Sequence, residues 1–229
     1  MIINHTYKFI FIKTQKTAGT SMEIALSSLC SENDIVTPIS KDDEEIRRAL
    51  RYQTPTNYSI PLKKYNRKEL LDFIIFGNRK SFYNHMSCEE IKQNIGGKIF
   101  NDYYKFCFER NPFDKVISLF YHQGGYSKWK SIEAFIKDGG LKIIKGYDQY
   151  TINNVIAVDD VFKFEQIEEA LKIITHKLNL KTELSLPKVK AKSQFRNDKR
   201  HYNEVLTDTE RRLIETIWAR EINLMSYQF

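Results

Sequence analysis

Three cysteines in 229 residues, Cys30, Cys88 and Cys107, are too few and too irregularly spaced for a disulfide framework or a paired metal-ligand set. They predict reduced, buried thiols. A long apolar stretch is missing as well: no run approaches the roughly 18 residues of a membrane span. The opening MIINHTYKFIFIKTQ has no basic start, only a short apolar core and no small-residue cleavage site, so it does not read as a secretion signal. Internal repeats and low-complexity tracts are absent. The histidines and carboxylates are scattered without ligand spacing, which predicts chemistry that uses no metal. Together these absences predict a cytoplasmic protein.

What is present reads as globular. Hydrophobic residues make up 41% and charged residues 28%, values that exclude a disordered chain. The length suits a single α/β domain over residues 1–229 with a substantial core. Lys and Arg number 36 against 29 Asp and Glu, and the net charge of +7 favours anionic partners such as nucleotides, sulfated or phosphorylated sugars, or nucleic acid. The 13 Tyr and 15 Phe fall mostly inside apolar runs, where they serve a core better than a base-stacking surface. No helix-turn-helix, zinc or RNA-recognition signature accompanies them, so nucleic acid is not the expected partner. Oligomeric state is not legible.

Short apolar runs alternate with helical patterns, the signature of a parallel-sheet α/β domain. Strands are expected at 8–13 (KFIFIK), 72–77 (DFIIFG), 103–109 (YYKFCFE) and 160–164 (DVFKF), since continuously apolar runs suit strands covered on both faces. Capping-box spacing predicts helix starts at Thr20 with Glu23, Ser87 with Glu90 and Thr207 with Glu210. The last would open one long helix, and Gly96-Gly97 would stop the second. Asn111-Pro112 predicts a helix with proline at its first position. Residues 166–178 have amphipathic helical spacing. Two polar stretches, 31–69 (with a helical DDEEIRRAL) and the basic 182–203, read as insertions or loops.

The sequence FIFIKTQKTAGTSMEIAL, residues 9–26, runs an apolar strand into a tight turn and a helix start. Such a turn aims backbone N–H groups and the helix dipole at one point, where an anion can sit. Gly19 permits close backbone approach, Lys16 supplies a point charge, and Thr17, Thr20 and Ser21 supply hydroxyls. Lys16 precedes the glycine, whereas the Walker A order puts lysine after it with Ser/Thr to hold Mg²⁺. The cradle therefore suits a smaller anion approached from the strand side. A solvated Lys16 in an ordinary strand-to-helix turn is the bland alternative.

In FCFERNPFDKVISLFY, residues 106–121, Arg110 stands at the carboxyl end of a strand, where ligands bind in open α/β sheets, and Ser118 lies two turns into the next helix. A guanidinium there can clamp a phosphate through two bonds. Pairing of Arg110 with Glu109 or Asp114 is the alternative.

Together, KTAGTS at 16–21 and RNPFDKVIS at 110–118 resemble the sulfotransferase superfamily, in particular its carbohydrate branch with the heparan sulfate 2-O-sulfotransferases. VFKFEQIEEAL and the ending AREINLMSYQF are similar to later family segments. The resemblance implies a P-loop-like three-layer fold with a central, mostly parallel β-sheet flanked by helices. It implies a donor, 3′-phosphoadenosine 5′-phosphosulfate (PAPS), that leaves as adenosine 3′,5′-bisphosphate (PAP). Lys16, Thr17, Ala18, Gly19, Thr20 and Ser21 would hold the 5′-phosphosulfate, and Arg110 and Ser118 the 3′-phosphate. Gln15 stands where the family has proline, and Lys115 where it has a second arginine.

FYNHMS resembles the histidine-bearing segment of the 2-O-sulfotransferases, with His85 as the catalytic base. Lys16 would stabilise the charge on the departing phosphate oxygen. A loop histidine capping a carbonyl is the plain alternative for His85. His122, His176 and His201 read as structural or solvated, and His5 as exposed. In the loop KVKAKSQFRNDKR, Lys190, Lys192, Ser193 and Arg196 would meet the 3′-phosphate or an anionic acceptor, unless the loop is simply solvated. The acceptor implied is a saccharide hydroxyl. The rival readings are a P-loop kinase or nucleoside triphosphatase, in which NVIAVDDVF at 154–162 would end in a metal-binding aspartate, a basic nucleic-acid-binding protein, and a family-like protein without catalysis.

Overall fold

The computed structural model describes residues 1–187, 198 and 200–229. In chain order it runs β1 (Ile2–Asn4), β2 (Phe9–Ile12), α1 (Gly19–Ser27), β3 (Ile35–Val36), α2 (Lys41–Ala49), α3 (Arg67–Phe76), α4 (Cys88–Ile95), α5 (Gly97–Asp102) and β4 (Tyr104–Glu109). It continues with α6 (Pro112–His122), α7 (Ile132–Lys137), β5 (Thr151–Ile152), β6 (Val155–Ile156), β7 (Asp160–Lys163), α8 (Ile167–Lys177), α9 (Tyr202–Val205), α10 (Asp208–Ile217) and α11 (Ala219–Met225).

The main sheet has the order β3-β1-β2-β4-β7, and β5 and β6 form a separate hairpin. β2 pairs in parallel with β4, and β4 with β7. β1 is antiparallel to both β2 and β3, so β3 points the same way as β2 and four strands share one direction. Alternation along the central strands fills both faces. Phe9, Phe11, Phe106 and Phe108 pack against α1 and α8. Ile10, Ile12 and Cys107 face the opposite way, against α4 and α5. This makes three layers, and it explains why FIFI and the FCF of β4 are apolar throughout: both faces are covered. A third cluster gathers α6, α7, α10 and Trp218 beside the sheet.

Several expectations need correction. Residues 72–77 form no strand; they are the second half of α3 and the Gly77 that ends it. Asn66 and Glu69 cap that helix reciprocally and Gly77 closes it at φ 69°, so local capping outranks an apolar run that has no strand to pair with. Thr20 with Glu23 is no capping box: α1 starts two residues earlier, from Ala18 at φ 53°, with no side-chain cap. The boxes at Ser87 and Thr207 form as expected. Gly96 ends α4, but Gly97 at once begins α5. The final helix is two, broken at Trp218. Residues 31–69 contribute β3 to the main sheet and α2 to its flank. His5 is half-buried, its Nδ1 2.7 Å from the Tyr103 hydroxyl.

Candidate active site

The turn after β2 is the anchor of the site. Lys16 and Ala18 both take left-handed backbone conformations, at φ 64° and 53°, and so reverse the chain into α1 within a few residues. Gly19 is required by packing: a Cβ there would meet Lys13 Cγ at 2.8 Å and the Thr14 carbonyl at 3.3 Å. The glycine thus admits the Lys13 stem under the turn.

The start of α1 suits an anion. No side chain caps it, its first turn has no acidic residue, and Met22 N–H is the first to reach back, to Ala18 O. The N–H groups of Gly19, Thr20 and Ser21 therefore have no intrahelical acceptor and point along the positive end of the dipole. Thr20 and Ser21 are half-buried there. Thr17 departs from expectation. Its hydroxyl turns inward, donating to Thr14 O at 3.2 Å and lying 2.9 Å from Thr14 Oγ1, so only its backbone remains for an anion. Gln15, in the place of the family's proline, fixes the turn by other means: its amide donates to Ile143 O at 2.6 Å and accepts from Lys145 N–H at 3.2 Å.

Arg110 closes on the same turn. β4 lies beside β2, so its carboxyl end delivers Arg110 next to Lys16, and Arg110 NH1 donates to Lys16 O at 3.0 Å. Its Nε and NH2 both meet Asp114 Oδ2, at 2.8 and 2.5 Å. The guanidinium also lies over the Phe164 ring, 4.7 Å from its centroid. Asp114 and Ser118 follow Arg110 at four-residue intervals, so they line one face of α6, and both are half-buried.

Asn111 caps α6 by accepting from Phe113 N–H, and its amide donates to Tyr202 OH and Gln228 O. Glu165 accepts from Asn111 N–H at 2.8 Å and from Tyr227 OH at 3.1 Å. The Phe164-Glu165 pair and the C-terminal tail thereby brace the Arg-Asn-Pro turn. Lys115 has an inner role: fully buried, it pairs with Glu109 at 2.6 Å and lies over Trp218.

His85 reaches the site from a loop. The expected strand before it does not exist; instead the backbone bridge Ser59–Ser81 leads the chain in from α3. The ring sits at the carboxyl end of β2, with Nδ1 2.8 Å from Lys13 O. A carbonyl can only accept, so Nδ1 carries the proton and Nε2 keeps its lone pair. Burial, reinforced by the charge of Lys13, pulls the pKa of His85 down to about 4. The ring is therefore neutral at physiological pH and held in the tautomer of a base. Gln149 donates to the same Lys13 carbonyl at 2.6 Å.

Beneath the site lies a charge network that sequence reading missed. Glu23, fully buried, accepts from Lys13 Nζ at 2.6 Å, from the Met1 α-amino group at 2.7 Å and from Thr37 at 2.8 Å. Burial alone would raise the Glu23 pKa, but the α-amino group and Lys13 outweigh it and hold it at about 2. Asn84 accepts from Lys13 at 3.1 Å, which ties the loop of His85 to this network. The signal in the sequence was a glutamate inside the apolar run MEIAL.

The aspartates expected in a kinase-like strand are committed elsewhere. Asp159 pairs with Lys105, and Asp160 with Tyr104 and Lys177. Lys190, Lys192, Ser193 and Arg196 lie outside the described residues. Among the described residues no helix is long and apolar enough to cross a membrane.

Three comparisons bear on this arrangement. The sequence model of the family described as "Sulfotransferase family" matches residues 1–228. An uncharacterized protein of Archaeoglobus fulgidus is 33% identical over 101 residues, 42% of this chain and 84% of that one. No solved structure matches.

Proposed function

The chain belongs to the sulfotransferase family, and from that premise we propose that it moves a sulfuryl group from PAPS to an acceptor hydroxyl, in first place a saccharide hydroxyl, by in-line displacement. One observation carries the reading: the single turn 13–18 receives His85 on the Lys13 carbonyl and Arg110 on the Lys16 carbonyl. Base, lysine turn and phosphate-binding arginine thus share one anchor.

The residues fit the donor's two phosphates. The uncapped, acid-free start of α1 and Lys16 suit the 5′-phosphosulfate, while Arg110 and Ser118 suit the 3′-phosphate. When bound, the donor supplies the sulfuryl group. The acceptor proton goes to His85 Nε2, the nitrogen left unprotonated by the Lys13 contact. Lys16 and the first-turn N–H groups hold negative charge in place without rearranging, which is the larger electrostatic contribution.

Two measurements test this on the intact chain: calorimetric titration with PAP, and transfer of labelled sulfate from PAPS to a panel of sugars, lipids and phenols. We expect PAP to bind without added metal and a sugar to accept sulfate. His85→Gln should lower kcat by about 10²–10⁴-fold with PAP affinity unchanged. Full activity in that variant would remove His85 as the base, and failure to bind PAP would remove the donor assignment.

A further inference from the structure

α3 takes no part in the proposed chemistry, yet it is built with care. Its capping box and its Gly77 terminus are complete, and a short neck holds it to the body through Ile60 N–H to Lys80 O at 3.0 Å and Phe82 N–H to Tyr58 O at 2.7 Å. Its inward side is defined by Glu69, paired with Lys80 at 2.7 Å, and by Phe73, which lies against Tyr65 and Arg79. The opposite side is apolar: Leu70, Leu71, Ile74 and Ile75 recur at helical spacing, and with Phe76 they are 41–69% exposed. No residue of the helix is buried. A contiguous apolar face of this kind marks a docking surface.

The charges around it say what docks. Lys63 and Lys64 in the preceding turn, Arg67 and Lys68 in the first helical turn and Arg79 beyond the end are all exposed. The acids of the helix are Glu69, already paired with Lys80, and Asp72. We propose that α3 is a membrane-surface anchor, lying along an anionic lipid bilayer with its apolar side chains among the acyl chains and its cations on the lipid phosphates. Ten residues make a helix about 15 Å long, half of what a bilayer core needs, so it lies in the surface and does not cross it. A bilayer asks only for apolar depth and positive charge. A second copy fits poorly, because a two-fold contact would set these cations against their own images. A folded partner would need about 800 Å² of complementary surface per side, whereas the five exposed cations around the patch ask only for anionic lipid.

The test is co-sedimentation of the full chain with vesicles of phosphatidylcholine, alone or mixed with phosphatidylglycerol. We expect binding to the mixed vesicles at least about 10-fold stronger than to the neutral ones. Ile74→Glu with Ile75→Glu should lose at least about 10-fold of that binding, and Lys63→Glu with Lys64→Glu a smaller part, with thermal midpoints unchanged because neither pair is buried. Equal binding by the Ile74/Ile75 variant, or no binding of the natural chain to the mixed vesicles, would overturn the proposal. So would a lipid-free dimer, seen by sedimentation equilibrium, that the Ile74/Ile75 variant dissociates.

Discussion

Arg110 already holds a carboxylate. Two of its nitrogens meet Asp114, and under the proposed function a donor phosphate would have to take over from that oxygen. Replacing Asp114 with Asn should therefore strengthen PAP binding by about 2- to 5-fold, the worth of a partly exposed ion pair. Unchanged or weaker binding in the titration would mean that Arg110 is not the phosphate ligand. The sequence offered both partners of Arg110, phosphate and Asp114, and spacing alone had no means of ranking them. FYNHMS singled out His85 as a candidate base, and its ring lies beside the turn after β2; its tautomer was not legible, because that depends on the Lys13 carbonyl, 72 positions away in the chain. Thr17 was read as an anion ligand by type, and only the folded turn reveals that Thr14 engages its hydroxyl.

Among the elements, α1 and α3 were each misread for a local reason. The Thr20–Glu23 spacing was a sound capping signal, but Glu23 is spent on a buried ion network and the helix begins at a left-handed alanine instead. That start has a measurable cost. Ala18→Gly should raise stability by about 1 kcal/mol by relieving the positive φ. Gly19→Ala should lower it by about 1–3 kcal/mol, since its methyl group would strike Lys13 and Thr14. Urea unfolding of both variants checks the pair, and an undiminished Gly19→Ala protein would show that the turn yields freely. α3 was mistaken for a strand because DFIIF suits either form; its N-terminal cap lay six residues upstream, outside the window in which apolar content is judged, and Gly77 was taken as part of the strand.

For the molecule as a whole, the layered sheet was readable because β2, β4 and β7 are short and carry aliphatic or aromatic residues in direct or near succession. β1 and β3 escaped notice, being only three and two residues long, too short for any periodicity to register. The polar interior was equally hidden, since Glu23, Lys13, Thr37 and Asn84 come from four separate segments. That interior sets the response to acid. The pKa of His85 falls from 6.5 to about 4 on folding, so the unfolded chain binds more protons between those values and stability declines as pH drops through that window. The contribution of Glu23, whose pKa falls from 4.5 to about 2, is intact above 4.5 and is lost below it. Thermal melts from pH 7 to pH 5 should therefore show a falling midpoint, less steep in His85→Gln; parallel slopes would exclude the histidine as the cause. Because the ring is buried against the turn it rests on, a proton cannot charge it and spare the scaffold: souring the solution slackens the architecture well before the imidazole itself is titrated.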